Sequence, residues 1–145
     1  MTIIVQLVTS FIAAAGFGIL FNAPRQVLVH CGLVGMLGWI LYDTLVRYGI
    51  DVVPATVVAA MLVAVLSQLF AKLKKTPIIV FNVSGIIPLV PGGIAYDAMR
   101  HFVANDYFTG VQLAAKVVLL AGAIAIGLMF SEVVNQIVRK FPAKR

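Results

Sequence analysis

The sequence predicts an all-α integral membrane protein of about five transmembrane helices, the fourth broken at Pro88–Gly93, with the N-terminus outside and the C-terminus cytoplasmic. Three observations predict it. Hydrophobic residues make up 62% of the 145 residues and charged residues only 11%, against about 25% in soluble domains. The mean hydropathy is +1.08. Apolar runs follow one another with short polar joints, each close to the roughly 20 residues that a bilayer core of about 30 Å requires. The net charge of +6 does not point to nucleic acid, because the lysines and arginines cluster between apolar runs, where cytoplasmic loops carry them. The lone Cys31 excludes an intrachain disulfide. Without a Cys/His cluster, no metal is expected, and no other cofactor.

One membrane domain, residues 1–145, is read in order. The first span covers about 3–21. Its start, MTIIVQLVTSF, lacks the basic segment of a secretory signal and is read as uncleaved. It stops at NAPRQ, where Pro24 and Arg25 mark a turn. The second span runs about 27–46. Asp43 and Arg47 have the acid-before-base i, i+4 order of an ion pair at a helix end, and His30 is expected to hydrogen-bond within the bundle. Gly32, Gly35 and Gly38 repeat every third residue, and Ala14 and Gly18 stand four apart; such spacings let helix backbones approach closely. RYGIDVVP makes a short connection, and a third span, about 55–71, stops at KLKKTP. The fourth, about 78–104, is discontinuous. NDYFTG forms a turn, and Thr109 and Gln112 have capping-box spacing for the last span, about 111–138.

Orientation follows from the basic residues. With five crossings and the amino terminus outside, Arg25, Lys72, Lys74, Lys75, Arg139, Lys140, Lys144 and Arg145 fall inside. Only Arg47 and Arg100 fall outside, with Lys116 near the outer end of the last span. If residues 78–108 do not cross, the two sides balance, so the asymmetry favours five crossings.

The fourth segment carries the main functional signal. IIVFNVSGII supplies about 15 Å of helix, half a bilayer. Pro88 and Pro91 lack amide donors and clash with the preceding turn, while Gly92 and Gly93 permit unusual backbone angles. A P-x-x-P-G-G element in apolar context favours a real break over a kink: half helix, unwound link, and a second half helix from Ile94. Unwound backbone in hydrocarbon costs several kcal/mol per unsatisfied group unless protein or water covers it. The break therefore predicts a covered cavity, with the positive amino-terminal end of a half helix aimed into it, as at transporter substrate sites. Substrate-binding candidates are Asn82, Ser84, Pro88, Pro91, Gly92, Gly93, Tyr96 and Asp97. Two roles fit Asp97: holding the ammonium of a zwitterionic amino acid whose carboxylate meets the free amides, or pairing with Arg100 or His101 on its own helix face.

Glu132, Asn135, Gln136 and Arg139 make one polar stripe on the last span. Glu132, like Asp97, is a candidate for proton coupling; holding a partner helix is the alternative role for it. An enzyme is not expected. The repeated Tyr-Asp pairs at Asp43 and Asp97 suggest an aspartyl dyad only superficially, since the two fall at different depths, and no Ser/His/Asp set, H-E-x-x-H or phosphate loop is present.

PLVPGGIAYDAM, with Pro88, Pro91 and Gly92 between an apolar run and a small-residue helix, resembles the threonine/serine exporter family, in its smaller carboxyl-terminal half. The likeness covers nearly the whole chain, including the Phe21-Asn22-Ala23-Pro24 turn and the basic tail. It implies a secondary exporter of threonine and serine across the bacterial cytoplasmic membrane, driven by the proton-motive force. Related two-subunit members are associated with dicarboxylate (succinate) export. The resemblance further implies a larger membrane subunit as partner, encoded nearby, with a homo-oligomer as the other arrangement. The competing expectation is a non-transporting membrane scaffold or assembly subunit.

Overall fold

The computed structural model describes residues 3–140, with side chains through residue 137. Lys144 and Arg145 lie outside the described residues, as do the side chains of Arg139 and Lys140. The described residues form six α-helices: α1 (Ile3–Leu20), α2 (Leu28–Arg47), α3 (Val52–Lys74), α4 (Ile78–Ile86), α5 (Gly92–Val103) and α6 (Tyr107–Lys140). Short 3₁₀ turns at Arg25–Val27 and Ile87–Leu89 precede α2 and follow α4. The helices α1, α2, α3 and α6 are each long and apolar enough to cross a membrane. Residues Ile78–Leu89 and Gly92–Val103 form a pair bent by 54° that adds a fifth candidate span.

The ends of the helices follow from backbone hydrogen bonding. After α1, Asn22 turns left-handed at φ 55°, so that Asn22 N–H reaches the Ile19 carbonyl and Ala23 N–H the Gly18 carbonyl, both at 2.9 Å. Gly49, Lys75 and Asn105 do the same after α2, α3 and α5. A left-handed non-glycine residue costs about 1–2 kcal/mol. A bare carbonyl in or near lipid costs several, so the strained cap is the cheaper arrangement.

Two starts differ from the sequence expectation. Helix α3 begins at Val52, earlier than 55, because Asp51 Oδ1 accepts the Val52 amide at 2.8 Å. Pro54 then sits in the first turn, where its missing N–H leaves no gap. Helix α6 begins at Tyr107. Thr109 and Gln112 are already helical, and Asp106 is the cap, its Oδ1 accepting the Thr109 N–H at 3.3 Å. The Thr109 hydroxyl and amide, with a smaller contribution from His101 at 3.1 Å, hold the Asp106 carboxyl below its usual range.

Lipid tails are as apolar as leucine, so close packing must hold the helices together. Small residues provide it. A Cβ on Gly32 would strike the Phe11 ring of α1, and one on Gly35 would strike Ala14. On Gly38 it would meet Val63 of α3 at 2.5 Å, and on Gly85 it would meet Val34 at the same distance. The core joins Val34, Ala59, Ala60, Val63, Leu89 and Ile124, and a second cluster joins Val27, Cys31 and Phe81. His30 sets its ring edge-on to Phe70 at 5.0 Å, and its Nδ1 has no hydrogen-bond partner among the described residues. The expected bundle hydrogen bond is thus replaced by an aromatic contact.

Helix α6 lies along α3 in the same direction. Gly127 abuts Val57, Ala60 and Met61, and further along both helices Gln68 Nε2 donates to the Ser131 carbonyl at 3.4 Å. At 1.5 Å per residue α6 is about 51 Å long, well beyond a hydrocarbon core of about 30 Å. Counting back from Gly127 and Val57, roughly fifteen residues of α6, about 22 Å, overhang the start of α3. Helix α5 packs along this overhang, with Gly110 under Phe102, and packs on no other helix to a similar extent.

Candidate functional site

The break is narrower than its sequence suggests. Pro88 cannot donate to the Ser84 carbonyl, and the chain tightens into the 3₁₀ turn Ile87–Leu89. Val90 is extended at φ −65°, ψ 127°, and its amide reaches back to the Ile86 and Ile87 carbonyls at 3.2 Å. Pro91, at φ −76° and ψ 49°, is the centre of an inverse γ-turn closed by Gly92 N–H to the Val90 carbonyl at 2.8 Å. Gly92 and Gly93 are therefore the first turn of α5, not unwound link. The γ-turn redirects the chain at Val90 and Pro91 alone, so glycine's left-handed freedom is not drawn upon. The Gly93 and Ile94 amides have no partner among the described residues, which is the ordinary condition of a helix start. A Cβ on Gly92 or Gly93 would meet nothing within 4 Å, so this face of the break stands open.

The candidates divide between two places. Ser84 and Pro88 face the bundle: Ser84 is fully buried beside Cys31 and Gly18, and Pro88 lies against Gly35. The Asn82 Oδ1 is buried without a hydrogen-bond partner among the described residues. Tyr96, 70% exposed, and Asp97 ride on α5, away from Asn82 and Ser84. Of the two roles open to Asp97, the structure contains the pair with Arg100, Nη2 to Oδ1 at 3.7 Å, about half exposed. His101 turns to Asp106 instead. An exposed pair of that length contributes at most about 1 kcal/mol, which leaves the carboxylate open to exchange partners. Asp43 and Asp97 sit on helices that do not pack closely together, each beside its own arginine.

The concave surface near the break lies on the α1–α2 side. Gln6, Thr9, Ser10, Ala13, Trp39 and Pro88 line a cavity of about 250 Å³. Gln6 and Trp39 also line a second cavity of about 260 Å³ that reaches Asp43, Thr44 and Arg47. There Arg47 Nε donates to Asp43 Oδ2 at 2.6 Å, the helix-end ion pair expected from their spacing. The Thr9 and Ser10 hydroxyls donate to the Val5 and Leu7 carbonyls of their own helix at 2.8 and 3.1 Å. Their oxygen lone pairs remain available to a ligand. A guanidinium and a carboxylate at one end, with an amide and hydroxyls along the wall, are chemically suited to a small zwitterion or carboxylate.

Sequence reasoning passed over Gln6, Thr9 and Ser10, although the signal was present. Their i, i+3, i+4 spacing makes a polar stripe on an otherwise apolar helix. Trp39 carried no such signal, because only the approach of α1 and Pro88 makes it a wall. Glu132 stands apart from the break, near the end of α3, where Lys72 shares its groove. Its Oε1 accepts from Gln136 Nε2 at 3.4 Å.

Among known families, the model described as "Threonine/Serine exporter, ThrE" matches residues 6–134, from Gln6 at the α1 groove to Val134. No solved structure matches the chain.

Proposed function

The chain belongs to the threonine/serine exporter family, and from that membership we propose that it is the small subunit of a secondary exporter. It moves threonine, serine or a related small carboxylate out of the cytoplasm, coupled to protons. The observation that carries this reading is the break at Val90–Pro91, set beside a polar groove in an otherwise apolar bundle. Broken helices with such grooves serve transporters as substrate sites.

The proposed substrate residues form two groups, Asn82, Ser84 and Pro88 with Gln6, Thr9 and Ser10 on the bundle side, and Pro91, Gly92, Gly93, Tyr96 and Asp97 on the α5 side. Asp97 and Glu132 are the proton-coupling candidates. Backbone amides in a membrane need cover, and this chain leaves Gly92, Gly93 and the outer face of α5 uncovered. That openness supports a larger membrane subunit of the same family, or a second copy, as the missing wall. We place the assembly in the bacterial cytoplasmic membrane, amino terminus outside and carboxyl terminus inside.

The test is efflux from cells loaded with labelled threonine, serine or succinate, expressing this chain alone or with the larger family member. Efflux from the pair identifies a two-part exporter, and the solute that leaves decides between amino acid and dicarboxylate. No efflux in either case, with both proteins in the membrane, would return the chain to a scaffold role. Threonine efflux that survives Asp97→Asn unchanged would remove the ammonium role from Asp97.

A further inference from the structure

At the end of α3 remote from Asp43 and Arg47, Gln68, Ala71, Lys72, Ile78, Glu132 and Asn135 line a cavity of about 250 Å³ between α3, α6 and the first turn of α4. Gln68 and Asn135 also border an adjoining cavity of about 260 Å³ with Ser131. This is the basic end of the bundle, where Lys72 in the last turn of α3 and Glu132 of α6 are both exposed. Here the walls carry a cation, a carboxylate and two amides. Ser131 is only 4% exposed, yet its hydroxyl has no hydrogen-bond partner among the described residues, a condition that normally costs about 1–3 kcal/mol.

The salt bridges among the described residues do not include Lys72 or Glu132. Among the described residues Glu132 receives only the 3.4 Å contact from Gln136. Opposite charges therefore face one cavity without joining across it.

We propose that this groove is a second substrate site, which recognises the α-ammonium and α-carboxylate of a small hydroxylated amino acid. Lys72 takes the carboxylate and Glu132 the ammonium. Asn135, Gln68 and the idle Ser131 hydroxyl supply neutral partners for the β-hydroxyl that threonine and serine share. The assignment rests on the exporter reading for its substrate class, and it sets a station at the opposite end of the bundle from the Asp43–Arg47 cavity.

The experiment is equilibrium competition against labelled L-threonine on the purified full-length protein with its partner subunit. The competitors are L-threoninol, which lacks the carboxylate, and N-acetyl-L-threonine, which lacks the ammonium. The unmodified protein should prefer threonine to each by tenfold or more. Binding should resolve into two components. Lys72→Met should remove the preference over threoninol from one of them alone, and Glu132→Gln should remove the preference over the acetylated analogue from that same component. Lys72→Arg should keep both. An unmodified protein that binds no threonine, variants that keep both preferences, or variants that weaken all three ligands equally would each overturn the site. Efflux measured on the same proteins separates the two readings. Selective binding without efflux would reject the exporter and keep the site, and efflux with unaltered preferences would reject the site alone.

Discussion

The glycines show why residue type and residue role are different things. Gly127 lies against backbone: a Cβ there would stand 2.6 Å from the Val57 carbonyl oxygen and 2.7 Å from the Ala60 Cβ. Gly35 is closed off by Ala14 and Pro88. Neither neighbour can swing aside as a long side chain would, so an added methyl overpacks the contact, at a cost of about 1–3 kcal/mol. Gly127→Ala and Gly35→Ala should lower the thermal unfolding midpoint in detergent by several degrees, and unchanged melting would contradict the packing of α6 on α3. Gly92→Ala should behave in the opposite way. It occupies the first helical position of α5 with open space around it, and alanine loses less backbone freedom on ordering than glycine. Stability should hold or rise. If efflux nevertheless collapses, Gly92 is reserved for the close approach of a substrate or a second chain.

At the scale of elements, the bend between α4 and α5 is a device of two residues. Pro91 sets φ and shapes the γ-turn, and Pro88 denies Ser84 its helical partner. Pro91→Ala frees α5 to straighten from its 54° bend. Efflux should fall at least tenfold while membrane insertion and α1–α3 packing survive; retained efflux would show that the bend is dispensable. The start of α6 depends on Asp106. Its carboxyl is held low, chiefly by Thr109 and then by His101. A lowered folded-state value means that the cap stabilises above the ordinary carboxylate value, about 3.9. That contribution disappears as pH falls through the lowered value. The protection of the amides of residues 107–110, relative to intrinsic exchange at each pH, should fall across that acid range, and Asp106→Ala should show the low protection at every pH. Retained protection in the variant would move the cap elsewhere.

For the whole molecule, the parallel run of α3 and α6 carries the topological argument. Two helices that point the same way in a bilayer are separated by an odd number of further crossings. Between them stand only α4 and α5, so the parallel run predicts that the bent pair acts as one crossing. Reporter fusions near residues 75 and 106 should therefore report opposite sides, and the turn at Asn22–Arg25 should share the side of residue 140. Reporters on the same side at 75 and 106, with residue 140 opposite the Asn22–Arg25 turn, would make the bent pair re-entrant. The outer face of α6 exposes Ile126, Met129, Phe130, Val133 and Ile137, which in a membrane meets lipid chains or a neighbouring subunit rather than water.

Apolar run length and Pro/Gly punctuation made the helices and the break legible in the sequence, because both act through local backbone chemistry. A run of about 20 apolar residues must hydrogen-bond internally in lipid, and Pro88 and Pro91 cannot take part wherever the chain folds. The Asp43–Arg47 pair was legible for the same reason, since a four-residue spacing on a helix is already a distance. What lay beyond reach was everything that depends on which helix meets which. Nothing local says that α5 lies along the overhang of α6, that Gly127 meets the backbone of α3, or that Lys72 and Glu132 face one cavity. Those partners are separated by tens of residues, and only packing in three dimensions brings their side chains together. Sequence determined where this chain can be helical and where it must break; tertiary packing decided which polar groups share a space, and so where a substrate can be held.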